Sequence, residues 1–495
     1  MPHYTTKEQV HARACQAIGK TVKELQENMG IKTSGKKSIV GDAWESWFNV
    51  EKNSIAGPDL LEAGVELKAT AIIENRNGPR AKERLVLNII DYIAEFENIG
   101  FETSSFWKKN HCMELGFYKY DKEIEVENYK FIFAILMEYP EVDLEIIKQD
   151  WELIYSYIKK GLAHEITEGL TRYLGACTKG TTSKDMRPQH PSLNAPLAKQ
   201  RAYSLKNSYM NQFINDYVYG NLVSDRVKVS PIYSNHADEF AQYFKIKPQV
   251  TNVIKDINKL KEKGFDKYIL SILNQYIGKS KGELVKLFEL DKDVTKSNKA
   301  LNKILINKMF FENGDLEKTD EFIKAGIQVK TVNLVNGDNK ESMSFPNFKF
   351  SEIVKESWED STLRNMFDST TYLFCVFNND IFVGGKFWSM PASDIDGLVK
   401  YAWQDTIDKI NGELVLMFTD NDKVTNNFIK KSDNMIIHVR PKSQKSSYNK
   451  DSNADRLPVK PKWVNKPDVF SNDWMTKQCF FLNNDYVLKQ IEDLL

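Results

Sequence analysis

Cysteine is scarce. Only Cys15, Cys112, Cys177, Cys375 and Cys479 occur in 495 residues, and no two form a C-x-x-C pair. An odd number at such scattered positions excludes a disulfide framework and a zinc ribbon, and fits a reducing, cytoplasmic setting. No run of eighteen apolar residues occurs, and MPHYTTKEQVHARAC has no apolar core, so neither a spanning helix nor a secretory leader is expected. Histidine is also rare. The seven histidines include no H-E-x-x-H and no clustered pair, which argues against a zinc hydrolase. Excess charge is absent too: Lys+Arg and Asp+Glu each total 68. Any nucleic-acid surface must therefore come from local clustering. Gly19-Lys20-Thr21 suggests a nucleotide-binding loop, but Ala14 replaces the required first glycine and the segment has helical periodicity.

A chain of 495 residues exceeds one ordinary core, so two or three domains are expected. Thr6 and Gln9 make a capping-box start, and Val10, Ala14, Ala17, Ile18, Val22 and Leu25 recur at helical spacing, predicting one amphipathic opening helix. VGDAWESWF, from Val40 to Phe48, reads as a second helix in which Trp44, Trp47 and Phe48 are core anchors. A loop, SIAGPDLLEAG, leads to the strand VELKATAI. RLVLNII and CMELGFYKY read as further strands, Leu144 to Lys160 as a long helix, and Thr178 to Pro196 as a polar region. The first half is thus α/β. The pattern weakens around 221–244 and helical segments resume near Pro248, which gives a first domain at 1–230, a linker at 231–245 and a second domain at 246–495.

Strand residues two apart face the same way, so Glu66 and Lys68 share a face, and Asp59 in the preceding loop folds back beside them. Phosphodiester hydrolysis needs a hard divalent ion to hold a non-bridging oxygen and acidify a bound water, and carboxylates such as Asp59 and Glu66 are its natural ligands. Lys68 then orients or deprotonates the attacking water, or neutralises charge developing at phosphorus. The bare D-x6-E-x-K pattern is short enough to arise by chance. Its placement at the start of a strand with apolar flanks, Val65 and Leu67, strengthens it.

VGDAWESWF followed by PDLLEAGVELKAT is similar to the MutH mismatch-repair nickases and more closely resembles the GATC-specific type II restriction endonucleases of the MutH-like group. The likeness continues through HEITEGLTRYLGACTKG and AKQRAYSLKNSYM, then ESMSF, SWEDS, HVRPK, SNADRLP and NDWMTKQ, across nearly the whole chain. It implies a PD-(D/E)xK fold and Mg²⁺-dependent double-strand cleavage at 5′-GATC-3′. Catalytic residues would be Glu45, Asp59, Glu66 and Lys68, with Glu45 joining Asp59 and Glu66 at the metal. The resemblance also implies a restriction-modification setting, with a cognate DNA methyltransferase as a functional but not physical partner. Lys179 matches a lysine in the group's DNA-reading loop, whereas its preceding arginine is Cys177 here. Lys184 and Arg187 are further candidates for groove or phosphate contact.

The second half repeats the pattern in altered form. AGIQVKTV (325–332) lines up with AGVELKAT (63–70), which puts Gln328 under Glu66, Lys330 under Lys68 and Glu321 under Asp59. A neutral Gln328 is a poor metal ligand, so the fold class expected is two tandem PD-(D/E)xK domains, the second a degenerate copy. HVRPK takes the place of ACTKG, making Arg440 and Lys442 candidates for DNA contact. They open a tract from 440 to 466 with eight Lys or Arg against two Asp, which reads either as a solvated loop or as a phosphate-binding one. In the enzymes resembled, such a domain engages a second site as an allosteric effector. One catalytic centre per chain implies a monomer in solution that dimerises on DNA. The alternatives are a methylation-directed GATC nickase and a non-cleaving DNA-binding regulator; the intact first quartet argues against the regulator, and the second domain against the nickase.

Overall fold

The computed structural model describes residues 3–27, 39–50, 57–75, 78–180, 185–220, 222–234, 236–237, 251–290, 298–419, 423–434, 436–442 and 445–495. Its contacts form two compact units, Met1–Tyr268 with Gly314–Ile327, and Ile269–Asn313 with Gln328–Leu495. This division does not follow a cut at 231–245, much of which lies outside the described residues. Residues 314–327 belong with the first unit because Lys324 buries its ammonium among Asp143, Asp320 and Asp216, at 3.1, 2.8 and 3.9 Å. An ammonium removed from water requires such carboxylate partners. Among the described residues no helix is long and apolar enough to cross a membrane.

The first unit opens with the capping box at Thr6 and Gln9, but the single helix expected there is two, Lys7–Cys15 and Val22–Glu27. Gly19 has a φ of 86°, a conformation that breaks a helix. The Gly19 N–H donates to the Phe131 carbonyl, and Thr21 bridges Lys130, so Gly-Lys-Thr lies along a strand and forms no phosphate loop. A third helix, Ile39–Trp47, follows. Trp44 stacks on Phe131 at 4.8 Å. A Cβ at Gly116 would come within 2.8 Å of its ring, so only glycine there lets the indole lie flat on the sheet.

That sheet contains β1 (Glu66–Asn75), β2 (Gly78–Ala81), β4 (Cys112–Lys119), β5 (Phe131–Glu138) and β10 (Val227–Val229), in the order β10-β5-β4-β1-β2. β1 and β4 run parallel, with Glu66 opposite Met113 and Leu67 opposite Glu114. The long helix Glu141–Lys159 follows β5. A smaller antiparallel sheet joins β3 (Leu85–Ile89), β9 (Arg201–Leu205) and β6 (Leu174–Thr178) in the order β3-β9-β6, and β7 (Met186–Arg187) pairs with β8 (Ala198–Lys199). Asp150 of the long helix ties down the start of β6. Its carboxylate accepts the main-chain N–H groups of Arg172, Tyr173 and Leu174 at 2.6, 2.6 and 2.9 Å.

The second unit has a sheet of β11 (Ile327–Val335), β12 (Asp338–Asn339), β14 (Thr371–Asn378) and β15 (Ile381–Trp388), in the order β12-β11-β14-β15. This is the order β2-β1-β4-β5 of the first unit. β13 (Met343–Asn347) pairs with Gln478–Leu482, which pairs in turn with Ile437–Pro441. The β3-β9-β6 arrangement thereby recurs as well. Thr178 faces Arg201 in the first unit's small sheet, and Arg440 faces Cys479 in that of the second.

Candidate active site

The segment before β1 is a tight turn closed by a bridge between Leu60 and Val65. Gly64 supplies the required backbone, with φ at 66°, and a Cβ there would meet His111 Nε2 at 3.3 Å. The turn folds Asp59 back over the start of the strand. Asp59 Oδ2 accepts the Leu67 N–H at 3.0 Å, and the Asp59 N–H donates to Glu66 Oε2 at 3.2 Å. Lys68 Nζ donates to Glu66 Oε1, as their shared strand face requires. Asp59, Glu66 and Lys68 are thus brought together.

A fourth group joins them that the spacing gave no reason to include. Lys109 Nζ stands 3.4 Å from Glu66 Oε1. It lies in the last turn of the helix Ser105–Asn110, just ahead of β4. Parallel pairing puts the starts of β1 and β4 at the same end of the sheet, so a residue 43 positions away in sequence reaches the Glu66 carboxylate. The only signal available in the sequence was the basic pair Lys108-Lys109 beside a strand start.

Glu66 is 1% exposed. Burial pushes its carboxyl above the ordinary range; Lys68 opposes the shift and the neighbouring charge of Asp59 adds to it. Two hard carboxylates facing two ammonium groups suit a hard divalent cation, which would relieve the repulsion between Asp59 and Glu66. Among the described residues no group of three or more His, Cys, Asp or Glu is arranged to hold a metal. Asp59 and Glu66 stand together as a pair of carboxylates, a number sufficient for a hard divalent ion that completes its shell with water and phosphate. Glu45 is half-buried on the helix Ile39–Trp47, and the structure does not gather it with the other two carboxylates into such a group.

Among the other predicted residues, Lys179 is half-buried just past β6, its N–H held by the Gln200 carbonyl at 2.8 Å. Arg187 is exposed and donates to Gln200 Oε1 at 2.6 Å. Lys184 lies outside the described residues. Cys177 is 2% exposed, which removes it from any contact with bases. In the second unit Arg440 and Lys442 are exposed at the end of the strand Ile437–Pro441, and the Arg440 guanidinium sits 4.1 Å from the Phe481 ring centroid. His438 turns inward and pairs with Asn483 Oδ1 at 2.6 Å. Glu321 is 2% exposed, and its carboxylate accepts the N–H groups of Val253 and Ile254, both at 2.9 Å.

The family described as "DNA mismatch repair enzyme MutH" matches residues 48–150, the stretch that holds Asp59, Glu66, Lys68 and Lys109. The chain is 42% identical, over 524 aligned positions covering all of both sequences, to the type II restriction enzyme Sau3AI of Staphylococcus aureus. It is 24% identical over 215 residues to the DNA mismatch repair protein MutH of Shewanella woodyi, covering 42% of this chain and 91% of that protein. A complex of the restriction endonuclease MvaI with cognate DNA overlaps 42% of this chain and 96% of its own at 12% identity, with a TM-score of 0.18, and adds nothing to the assignment. Full-length likeness to a restriction enzyme and a site of carboxylates and lysines agree, and the chain belongs to the MutH-like type II restriction endonucleases, site-specific deoxyribonucleases.

Proposed function

We propose that this enzyme makes Mg²⁺-dependent double-strand cuts at 5′-GATC-3′, with the first unit cutting and the second holding another copy of the site as an effector. The observation that carries the reading is the convergence of Asp59, Lys68 and Lys109 on the buried carboxylate of Glu66. Asp59 and Glu66 would hold the ion, and the family resemblance adds Glu45 as a further acidic contributor. When bound, the ion polarises the phosphate and acidifies water. Lys68 positions the nucleophile or offsets charge on the phosphorane, and Lys109 adds a second cation on the same side. Lys179, Lys184 and Arg187 contact DNA.

Two features support reading the second unit as a degenerate copy that binds without cutting. Its strand order repeats that of the first, and its counterparts of Glu66 and Asp59 are a neutral Gln328 and a Glu321 held by main-chain N–H groups. Arg440 and Lys442, which are exposed at a strand end, would meet phosphate or base edges. One catalytic centre per chain calls for two chains on the DNA, so a solution monomer dimerises there. Five unpaired thiols suit action in the cytoplasm, alongside a methyltransferase that protects the host's own sites.

The test is cleavage of a plasmid carrying GATC sites, with Mg²⁺ and with EDTA, by wild type and Glu66→Ala, with fragment ends sequenced. Mg²⁺-dependent double-strand ends confined to GATC, lost in a variant that still shifts DNA, are the expected outcome. Persistent nicks without linear product would favour a nickase instead, and binding without cutting by the wild type would sink the enzyme reading.

A further inference from the structure

A cavity of about 610 Å³ opens in the second unit beside the strands that carry the basic tract. Phe348 and Trp474 supply aromatic walls, Asn347 an amide, and Lys349, Lys450 and Lys477 three ammonium groups. It adjoins the strand pairing of Arg440: Lys477 directly precedes Gln478, which pairs with Pro441 and accepts the Phe348 N–H at 3.2 Å. The size lies within the range of about 300–1,000 Å³ usual for small-ligand sites.

Trp474 is unusual among the nine tryptophans. Seven of the others pack against another aromatic ring, and Trp47 lies under the Arg13 guanidinium. Among the described residues Trp474 has neither kind of partner and remains partly exposed. The lining holds three lysines against two carboxylates, which leaves an excess of positive charge, and both carboxylates are already hydrogen-bonded to the backbone. Asp451 Oδ1 accepts the N–H groups of Asn453 and Ala454 at 2.6 and 3.1 Å. Asp455 accepts those of Phe350 and Arg456, both at 2.9 Å. Lys477 and Lys349 each commit an N–H to a neighbour, the Ser452 carbonyl and Glu352, and both have others to offer. Lys450 is exposed.

An unpartnered indole face, an amide able to donate and accept, and a cationic rim together match a flat heteroaromatic ring joined to a phosphate. We propose that this cavity takes a single nucleotide swung out of a DNA strand, with its base against Trp474, its edge toward Asn347 and its phosphate against Lys450 and Lys477. The proposal rests on the reading that the second unit holds DNA. A free nucleotide offers the same groups, but the cavity's continuity with the Arg440 strand favours one still in a strand.

The test uses the full-length chain carrying Glu66→Ala, so that DNA stays intact, and measures its affinity for short GATC duplexes. One duplex is fully paired, one has a mismatch within the site, and one has an abasic position opposite the target base. A protein that extrudes a nucleotide gains affinity when pairing is weakened, because less unpairing energy is needed. A gain of about tenfold or more is expected, lost on Trp474→Ala and on Lys450→Glu, the latter an exposed change that spares the fold. Equal affinity for all three duplexes, with binding to the paired one still reduced by Arg440→Ala, would overturn the pocket alone. If Arg440→Ala and Lys442→Ala leave binding unchanged, the reading of the second unit fails and the pocket with it. Binding of free deoxynucleoside monophosphates that survives in Trp474→Ala would also overturn the proposal, whereas their competition with mismatched duplex in the Trp474 parent would support it.

Discussion

Lys68 and Lys109 meet at one atom, Glu66 Oε1, although one lies two residues from Glu66 and the other on a separate helix. Asp59 and Glu66 balance these two cations, and a divalent ion bound by the carboxylates would leave both ammonium groups to act toward the substrate. Lys68→Ala should lower single-turnover cleavage by about 10² to 10³-fold, the usual effect of removing one preorganised transition-state donor. Lys109→Ala should lower it in the same direction while DNA binding by gel shift is retained. Full activity in Lys109→Ala would reduce that lysine to a packing role.

Much of this site was legible in the sequence, and the limit of legibility has a physical cause. Asp59, Glu66 and Lys68 are local: a turn and a two-residue strand repeat bring them together, and both leave marks in nearby residues. Lys109 arrives through the parallel pairing of β1 with β4, a long-range register that no local pattern encodes. The strand β5, with seven consecutive buried residues from Phe131 to Met137, carries no alternation to distinguish it from a buried helix segment. The opening helix failed for a different reason. Its apolar spacing is helical throughout, yet Gly19 turns the chain so that residues 19–22 pair with neighbouring backbone, a tertiary contact overriding periodicity. The return of residues 314–327 to the first unit through Lys324 is likewise a long-range contact that no local pattern marks.

If the second unit is the degenerate copy proposed above, restoring its missing acid should not restore cutting. Gln328→Glu in a Glu66→Ala background supplies a carboxylate, but Glu321, aligned with Asp59, is buried and fixed by the Val253 and Ile254 N–H groups. A hard divalent ion with a single carboxylate available binds weakly. Plasmid nicking by the double variant should stay at the level of Glu66→Ala alone, and Mg²⁺-dependent cutting would show that a second centre can be assembled.

Glu95 offers a test of stability against pH. It is 3% exposed, and burial pushes its carboxyl above the ordinary 4.5, opposed by hydrogen bonds from Tyr203, Trp151 and Ser105. The folded protein therefore keeps this proton to higher pH than the unfolded chain does. As pH rises from about 4.5 through the raised value, the unfolded chain loses the proton first and stability falls; above both values the deficit is constant. In Glu95→Gln the side-chain oxygen still accepts from Trp151 Nε1 and the Tyr203 hydroxyl without a buried charge. Thermal melts should show the variant more stable than wild type near neutrality, with the gap closing below pH 4.5. A gap independent of pH would mean that packing, and not the charge, is responsible.

The effector reading makes a demand on substrate geometry. If Arg440 and Lys442 hold a second GATC site, the chain should cut a plasmid with two sites faster per site than one with a single site, because binding in cis raises the local concentration of the second site. Adding a short GATC duplex in trans should accelerate the one-site plasmid. Arg440→Ala with Lys442→Ala should abolish both accelerations while leaving the slow one-site rate nearly unchanged, since neither residue lies in the unit that holds Glu66. Salt separates this from general weakening: losing two phosphate contacts reduces the slope of log affinity against log salt by about two, at the effector site alone. Equal rates per site on both plasmids would leave the second unit without an effector role, and an equal fall in one-site and two-site cutting would assign Arg440 and Lys442 to holding the substrate that is cut.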